Sequence, residues 1–224
     1  MGKIYGIGVG PGNKKYLTLQ AVEVLSSVDY IFVPKNRDKN MALDAVIDLI
    51  DSDKLNYLEY PMKHMTTAGY IKNAETISKL LSGDKSGAFI TIGDPMFYST
   101  VMNTFALLDE SIEVEYISGI PSFVYGAAAC KRPLAFTGEA LMVLDHVPEK
   151  FIDGVDNYVI MKTYDLDLEK LDFIEESGFE YSYIEKGSLE DELILENKEE
   201  ILTRKAYMSL LILRRCKRTD ENRA

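Results

Sequence analysis

The stretch KIYGIGVGPGNKKYLTLQAVEVL, residues 3–25, decides the fold class. An apolar run, KIYGIGV at 3–9, enters a cluster of glycines and one proline. A segment with Leu17, Ala21, Val24 and Leu25 at helical spacing follows. Strand, glycine loop and helix in that order open an α/β domain. The same grammar marks nucleotide-binding loops, so the chemistry of this loop has to be tested.

The pattern repeats downstream. DYIFVP (29–34) reads as a buried strand, MALDAVIDLI (41–50) as a helix and KLNYLEYP (54–61) as an extended segment. GYIKNAETISKLLSG (69–83) predicts a longer helix stopped by Gly83. GAFITIGDP (87–95) is a strand breaking into a loop, and SIEVEYISGIPS (111–122) is another. These units imply a mostly parallel sheet. Beyond them the small-residue helix FVYGAAAC leads to strand-like runs at 140–144, 157–163, 180–188, 191–196 and 206–215, with one helix at 167–176. EKGSLEDELIL reads as two antiparallel strands, which makes the second sheet mixed. The expected organisation is two α/β domains, 1–118 and 119–224.

The first loop fails the usual phosphate tests. Lys14 and Lys15 follow Asn13, not a glycine, and no Ser or Thr follows them, so a Walker loop is excluded. Counting six from Gly6 reaches Pro11 and from Gly8 reaches Asn13, so neither register completes a dinucleotide fingerprint. The second strand ends in Pro34 and Lys35, where that fingerprint needs an acid. Pro11 also lacks the amide a phosphate cradle would use. What remains is a tight turn or a place of close approach for a different ligand. TIGDPMFYST at 91–100 sets Gly93, Asp94 and Pro95 straight after a strand. The loops at 10–13, 93–98 and 119–122 would then share the C-terminal edge of one sheet, where α/β proteins bind small molecules.

A net charge of −11 disfavours generic nucleic-acid binding, which needs a basic surface. No run of apolar residues is long enough to span a bilayer, and no signal-peptide pattern opens the chain. Cys130 and Cys216 stand apart, and His64 and His146 are isolated, so neither a disulfide framework nor a protein-bound metal is expected. A reducing cytoplasm suits that cysteine usage.

GIGVGPGNKKYLTLQAVEVLSSVDYIFVPK, GDPMFYST and SGIPSF, in this order and spacing, resemble the tetrapyrrole (corrin/porphyrin) methylase family over nearly the whole chain. The resemblance implies two α/β domains with an S-adenosylmethionine cleft between them, and a homodimer. It implies donor contacts from Pro11, from Ile92, Gly93 and Asp94 with Phe97 nearby, from Pro121 and Ser122, and from Met161 and Gly187. Core packing would equally explain Met161 and Phe97. Asn13 stands where the family usually has aspartate. FVPKNRDKNMALDAV, YPM at 60–62 and KAYMSLLILRR resemble the branch that methylates C20 of precorrin-2 or its cobalt form in cobalamin biosynthesis.

Such a substrate is a polycarboxylate. Lys35, Arg37 and Lys39 follow the second strand, Lys63 and His64 the third, and Lys131 and Arg132 the small-residue helix. Lys35, Arg37 and Lys63 are the candidates for binding its carboxylates, the alternative being solvated surface lysine and arginine. No residue type or spacing singles out a general base. A sister methylase with another acceptor, such as uroporphyrinogen-III, and a binding module without turnover are the competing readings.

Overall fold

Lys3–Gly8 forms strand β1, lined on both sides by parallel partners. The computed structural model describes residues 1–35, 40–61 and 65–216. Arg37, Lys39, Lys63 and His64 lie outside the described residues. The chain divides into two compact units, Met1–Ser122 and Phe123–Ala224.

In the first unit β1 is followed by helix α1 (Leu19–Ser27), β2 (Tyr30–Lys35) and α2 (Met41–Asp44). Then come β3 (Leu55–Glu59), α3 (Thr67–Leu80), β4 (Ser86–Thr91), α4 (Thr100–Phe105) and β5 (Glu113–Ile117). The sheet runs β3-β2-β4-β1-β5 with every pairing parallel. Parallel sheets are covered on both faces, and the strand residues divide accordingly. Ile7, Ile31, Val33, Ala88 and Ile90 pack with α1 and α2 residues Ala21, Leu25 and Ala42. Ile4, Phe32 and Phe89 pack on the opposite face with Ile77, Val101 and Phe105 from α3 and α4. Phe32 and Phe89 are wholly buried, and truncation of either to Ala would cost about 3–5 kcal/mol.

Helix starts follow local capping chemistry. The Thr18 side chain accepts from the Ala21 amide at 3.2 Å, and Thr66 and Ser99 do the same for α3 and α4. The single helix expected over 41–50 is instead α2 plus a separate short 3-10 turn at Ile47–Leu49. Ala42, Ala45 and Val46 are all buried in the same cluster. These positions keep the i, i+3, i+4 spacing of one helix face, yet the backbone leaves helical geometry at Val46, whose φ is −126°. Helix α4 had no periodicity to announce it, being only six residues long.

The second unit comprises α5 (starting at Ser122 and ending at Ala129), β6 (Leu141–Leu144), β7 (Asn157–Met161) and α6 (Leu168–Glu176). It continues through β8 (Phe179–Glu185), β9 (Leu193–Leu195), α7 (Lys198–Leu202) and β10 (Ser209–Arg215). The order is β6-β7-β10-β8-β9. β6 pairs parallel with β7 and the remaining pairs are antiparallel, a mixed sheet as expected, with β8 and β9 antiparallel. One face buries Tyr158, Ile160, Tyr183, Leu211 and Leu213 against Leu171 and Ile174 of α6. The other takes α5 at Gly126, where an added Cβ would stand 3.6 Å from both Ile184 and Ile212. Among the described residues no helix is long and apolar enough to cross a membrane.

Candidate functional site

In the first unit β4, β1 and β5 are adjacent and parallel, so the loops that follow them leave one edge of the sheet. They also bond one another. The Gly93 amide donates to the Gly10 carbonyl at 2.8 Å and the Gly10 amide to the Gly93 carbonyl at 3.3 Å. Both glycines hold left-handed φ, +73° at Gly10 and +74° at Gly93, a region costly to side chains.

Gly8 and Gly119 have another purpose. A Cβ on Gly119 would stand 2.1 Å from the Gly93 carbonyl oxygen and 2.6 Å from the Gly8 carbonyl group. One on Gly8 would stand 2.4 Å from the Gly93 oxygen and 2.6 Å from the Gly119 amide nitrogen. All these neighbours are backbone atoms, which cannot swing aside. The three strand ends therefore touch main chain to main chain, and the glycines give clearance to each other. At Gly93 an added Cβ would approach only the Pro121 Cα, at 3.9 Å.

Asp94 fastens this arrangement. One carboxylate oxygen accepts from the Met96 amide at 2.8 Å and the other from the Gly119 amide at 3.1 Å. The loop after β4 is thus tied to the loop after β5. A carboxylate offers about four acceptor positions, so two remain for a ligand hydroxyl or ammonium. Thr91 and Ser99 share a 3.1 Å hydrogen bond across the base of the β4 loop. Between them Phe97 packs on Tyr98 with ring centroids 4.6 Å apart, and Tyr98 holds φ +46° with about half its surface exposed.

The remaining first-unit candidates lie at this edge. Pro11 and Gly12 are buried, while Ile92, Pro121 and Ser122 are half-buried. Asn13 caps a 3-10 turn at Lys14–Tyr16, its side-chain oxygen accepting from the Lys15 amide at 3.0 Å. An amide oxygen caps as well as a carboxylate does, which accounts for asparagine at this position. Lys35 ends β2 and faces Glu59 of β3 across 3.5 Å, both well exposed. An exposed pair of this kind contributes about 0–1 kcal/mol and is readily exchanged for another carboxylate.

In the second unit, β7 and β8 both pair antiparallel with β10, so their C-terminal ends flank the start of that strand. Met161 ends β7 opposite Leu210, and Gly187 follows β8 by two residues. The Lys162 amide donates to the Ser209 carbonyl and the Lys186 amide to the Met208 carbonyl, each at 2.8 Å. Lys162, Lys186 and Ser188 all have left-handed φ, at 59°, 51° and 72°. Such conformations cost about 1–3 kcal/mol each and persist only where the surroundings enforce them. Just before the Gly187 turn, Glu185 is buried and accepts two bonds from Arg204, at 2.7 and 2.9 Å, and one from the Tyr183 hydroxyl at 3.0 Å. The Arg204 guanidinium, and secondarily the Tyr183 hydroxyl, hold the Glu185 carboxyl below its usual range against the opposing pull of burial. Arg132 is committed within its own unit. Its Nε donates to Ser182 at 2.9 Å, and its guanidinium lies 3.0 Å from Glu180 and 3.3 Å from Glu196.

Sequence reading located the glycine loops but not their mutual contact. Gly8 and Gly119 were visible as glycines, yet nothing local says that they meet. Glu192, which accepts from the Ser188 amide and the Tyr125 hydroxyl, gave no signal, because its phenolic partner is 67 residues away.

Comparison with known proteins gives this architecture a context. The family model of the Tetrapyrrole (Corrin/Porphyrin) Methylases matches residues 3–202. The chain is 39% identical to a probable cobalt-precorrin-2 C(20)-methyltransferase of Methanocaldococcus jannaschii, covering 96% of this chain and 97% of that one. It is 29% identical to the cobalt-precorrin-2 C(20)-methyltransferase of Salmonella typhimurium over 73% of each chain. Among solved structures, a cobalt precorrin-4 methyltransferase superposes with TM-score 0.73 at 16% identity, over 94% of both chains. A uroporphyrin-III C-methyl transferase of Thermus thermophilus, complexed with S-adenosyl homocysteine, superposes with TM-score 0.62 at 20% identity, over 95% of this chain and 97% of that one. These two similarities establish the fold.

Proposed function

We propose, from the premise that the chain belongs to the tetrapyrrole (corrin/porphyrin) methylase family, that it methylates C20 of precorrin-2 or cobalt-precorrin-2 in cobalamin biosynthesis. The observation that carries this reading is the end-to-end match to the Methanocaldococcus relative of that description. The methyl donor is S-adenosylmethionine, which supplies an electrophilic methyl group on a sulfonium.

The residues present suit such a donor. It is amphipathic, with an adenine, ribose hydroxyls, an ammonium and a carboxylate. The first unit offers the turn at Gly93, carboxylate capacity left over on Asp94, the apolar side of Ile92 and Phe97, and Pro11, Pro121 and Ser122 alongside. The second unit offers Met161 as a polarizable wall and the peptide groups around Gly187. Methyl transfer to an electron-rich carbon needs the two reactants aligned, and orientation alone supplies much of the acceleration. Rigid loops do this better than mobile ones, and the Gly10–Gly93 and Asp94–Gly119 bonds supply that rigidity. Lys35, by leaving Glu59, would pair with a substrate carboxylate; Arg37 and Lys63 are assigned the same task. A homodimer is part of the proposal and is tested by light scattering.

The test is incubation of the purified chain with S-adenosylmethionine and either metal-free or cobalt-loaded precorrin-2. Gain of one methyl mass, placed at C20 by NMR, is the expected result. Methylation at another carbon, or only of uroporphyrinogen-III, would transfer the chain to a sister branch. S-adenosylhomocysteine binding with no methylated tetrapyrrole would make it a binding module.

A further inference from the structure

We propose that Tyr125 and Glu192 are positioning residues that hold the Lys186–Gly187–Ser188 turn in shape and thereby set the affinity for the methyl donor. The proposal rests on the reading of Gly187 as a donor contact.

The turn is unusual in its backbone. Lys186 and Ser188, on either side of Gly187, both adopt left-handed φ without being glycine. Something has to enforce this, and the structure shows what does. A single oxygen of Glu192, Oε2, accepts from the Ser188 amide at 2.7 Å and from the Tyr125 hydroxyl at 2.5 Å. Tyr125 sits in α5, so the acid joins the turn to a helix packed on the sheet. The Tyr125 ring also lies directly against Gly187, where an added Cβ would come within 3.1 and 3.2 Å of two ring carbons. The same side chain therefore presses on the middle of the turn and, through Glu192, holds its far side.

Further bonds close the loop. The Leu189 amide donates to the Lys186 carbonyl and the Glu192 amide to the Leu189 carbonyl, both at 3.1 Å. The Lys186 ammonium meets Asp191 at 2.5 Å. The Lys186 amide bonds the Met208 carbonyl, which ties the start of the turn to the approach of β10. With both ends fixed, the remaining freedom lies in the peptides flanking Gly187, and the Tyr125–Glu192 pair removes it. A ligand that reads those peptides then meets donors and acceptors already in place, and does not lose affinity in ordering them.

Tyr125→Phe removes only the hydroxyl and keeps the ring against Gly187. Glu192→Ala removes the acceptor. Glu192→Gln keeps an amide oxygen that can still accept. Titration with S-adenosylhomocysteine should give a Kd raised about tenfold in Tyr125→Phe, the effect of one lost hydrogen bond to a charged group, and at least as much in Glu192→Ala, which loses two. Glu192→Gln should stay near wild type. Steady-state assays should show the donor KM raised in parallel, with kcat and the tetrapyrrole KM unchanged. Amide exchange at Ser188 and Leu189 should quicken.

Wild-type affinity in Tyr125→Phe and Glu192→Ala together with faster exchange would overturn the positioning role alone. Equal losses in donor KM, tetrapyrrole KM and melting temperature would also overturn it, marking a general structural prop. A wild-type chain that binds no S-adenosylhomocysteine would overturn the donor reading of Gly187, and the role of the clamp with it.

Discussion

The two units solve one problem in different ways. Each ends its strands in a glycine turn that must keep its shape, and each secures that turn with a carboxylate. In the first unit, Asp94 accepts from the Met96 and Gly119 amides, and the glycines themselves pack backbone on backbone. In the second, Glu192 accepts from the Ser188 amide and the Tyr125 hydroxyl, and the turn is pressed by an aromatic ring. The first design leaves no room for a side chain at Gly8 or Gly119. The second forces two non-glycine residues into left-handed backbone and retains them with side chains. One unit is therefore rigid by close approach and the other by clamping, which predicts unequal responses to mutation.

The largest expected effect is Gly119→Ala. Its Cβ would stand 2.1 Å from a carbonyl oxygen with main chain on both sides, so the loops must separate. A loss of about 3–5 kcal/mol in chemical denaturation is expected, with loss of S-adenosylhomocysteine binding. Gly187→Ala, meeting only side chains, the Tyr125 ring at 3.1 Å and Ile184 at 3.5 Å, should cost about 1 kcal/mol. Equal costs at the two glycines would break the comparison.

Next is the ion pair ahead of the clamped turn. Glu185→Gln keeps the shape but removes the charge that faces Arg204, at an expected cost of about 2–3 kcal/mol, since Arg204 remains partly solvated. The folded-state Glu185 titrates below its ordinary value of 4.5, so the unfolded chain binds the proton more readily. Its contribution is complete above that value and is lost as pH falls through the depressed folded value. Thermal unfolding from pH 6 to pH 3 should therefore show a steeper acid loss in wild type than in Glu185→Gln.

Asp94→Asn should be smaller, about 1–2 kcal/mol. The amide can accept from one of the Met96 and Gly119 N–H groups but presents its own N–H to the other. Donor affinity should fall about tenfold, one lost hydrogen bond to a charged group. Unchanged stability with reduced affinity would show that the carboxylate serves the ligand more than the loop.

The smallest effect is at Asn13. Asn13→Asp should change stability by under about 0.5 kcal/mol, because the cap to the Lys15 amide survives, whereas Asn13→Ala should cost about 1 kcal/mol. A large loss of activity in Asn13→Asp would assign the amide nitrogen a task the cap does not explain.

Much of the fold was legible because it rests on local rules. Apolar runs such as YIFVP and GAFIT read as buried strands, and apolar spacing announced α1 and α3. The capping side chains Thr18, Thr66 and Asp167, each accepting an early amide, were not read, though their chemistry is equally local. Helices too short for a period, α4 and α7, were not legible, and α2 was overextended because its apolar spacing runs on past Val46, where the backbone turns out of the helix. For the candidate site the division is similar. The sequence by itself determined the class of chain, the order of its strands and longer helices, and the presence of glycine loops at three strand ends. Only the tertiary structure decided that Gly8, Gly93 and Gly119 touch, that Asp94 joins two loops, and that Tyr125 meets Glu192. The reason is physical. A helix cap or a pleat is set by neighbours a few residues away, whereas these contacts join backbone segments 25 to 111 residues apart, from Asp94–Gly119 to Gly8–Gly119. Such contacts form only after the sheet has brought the strand ends together.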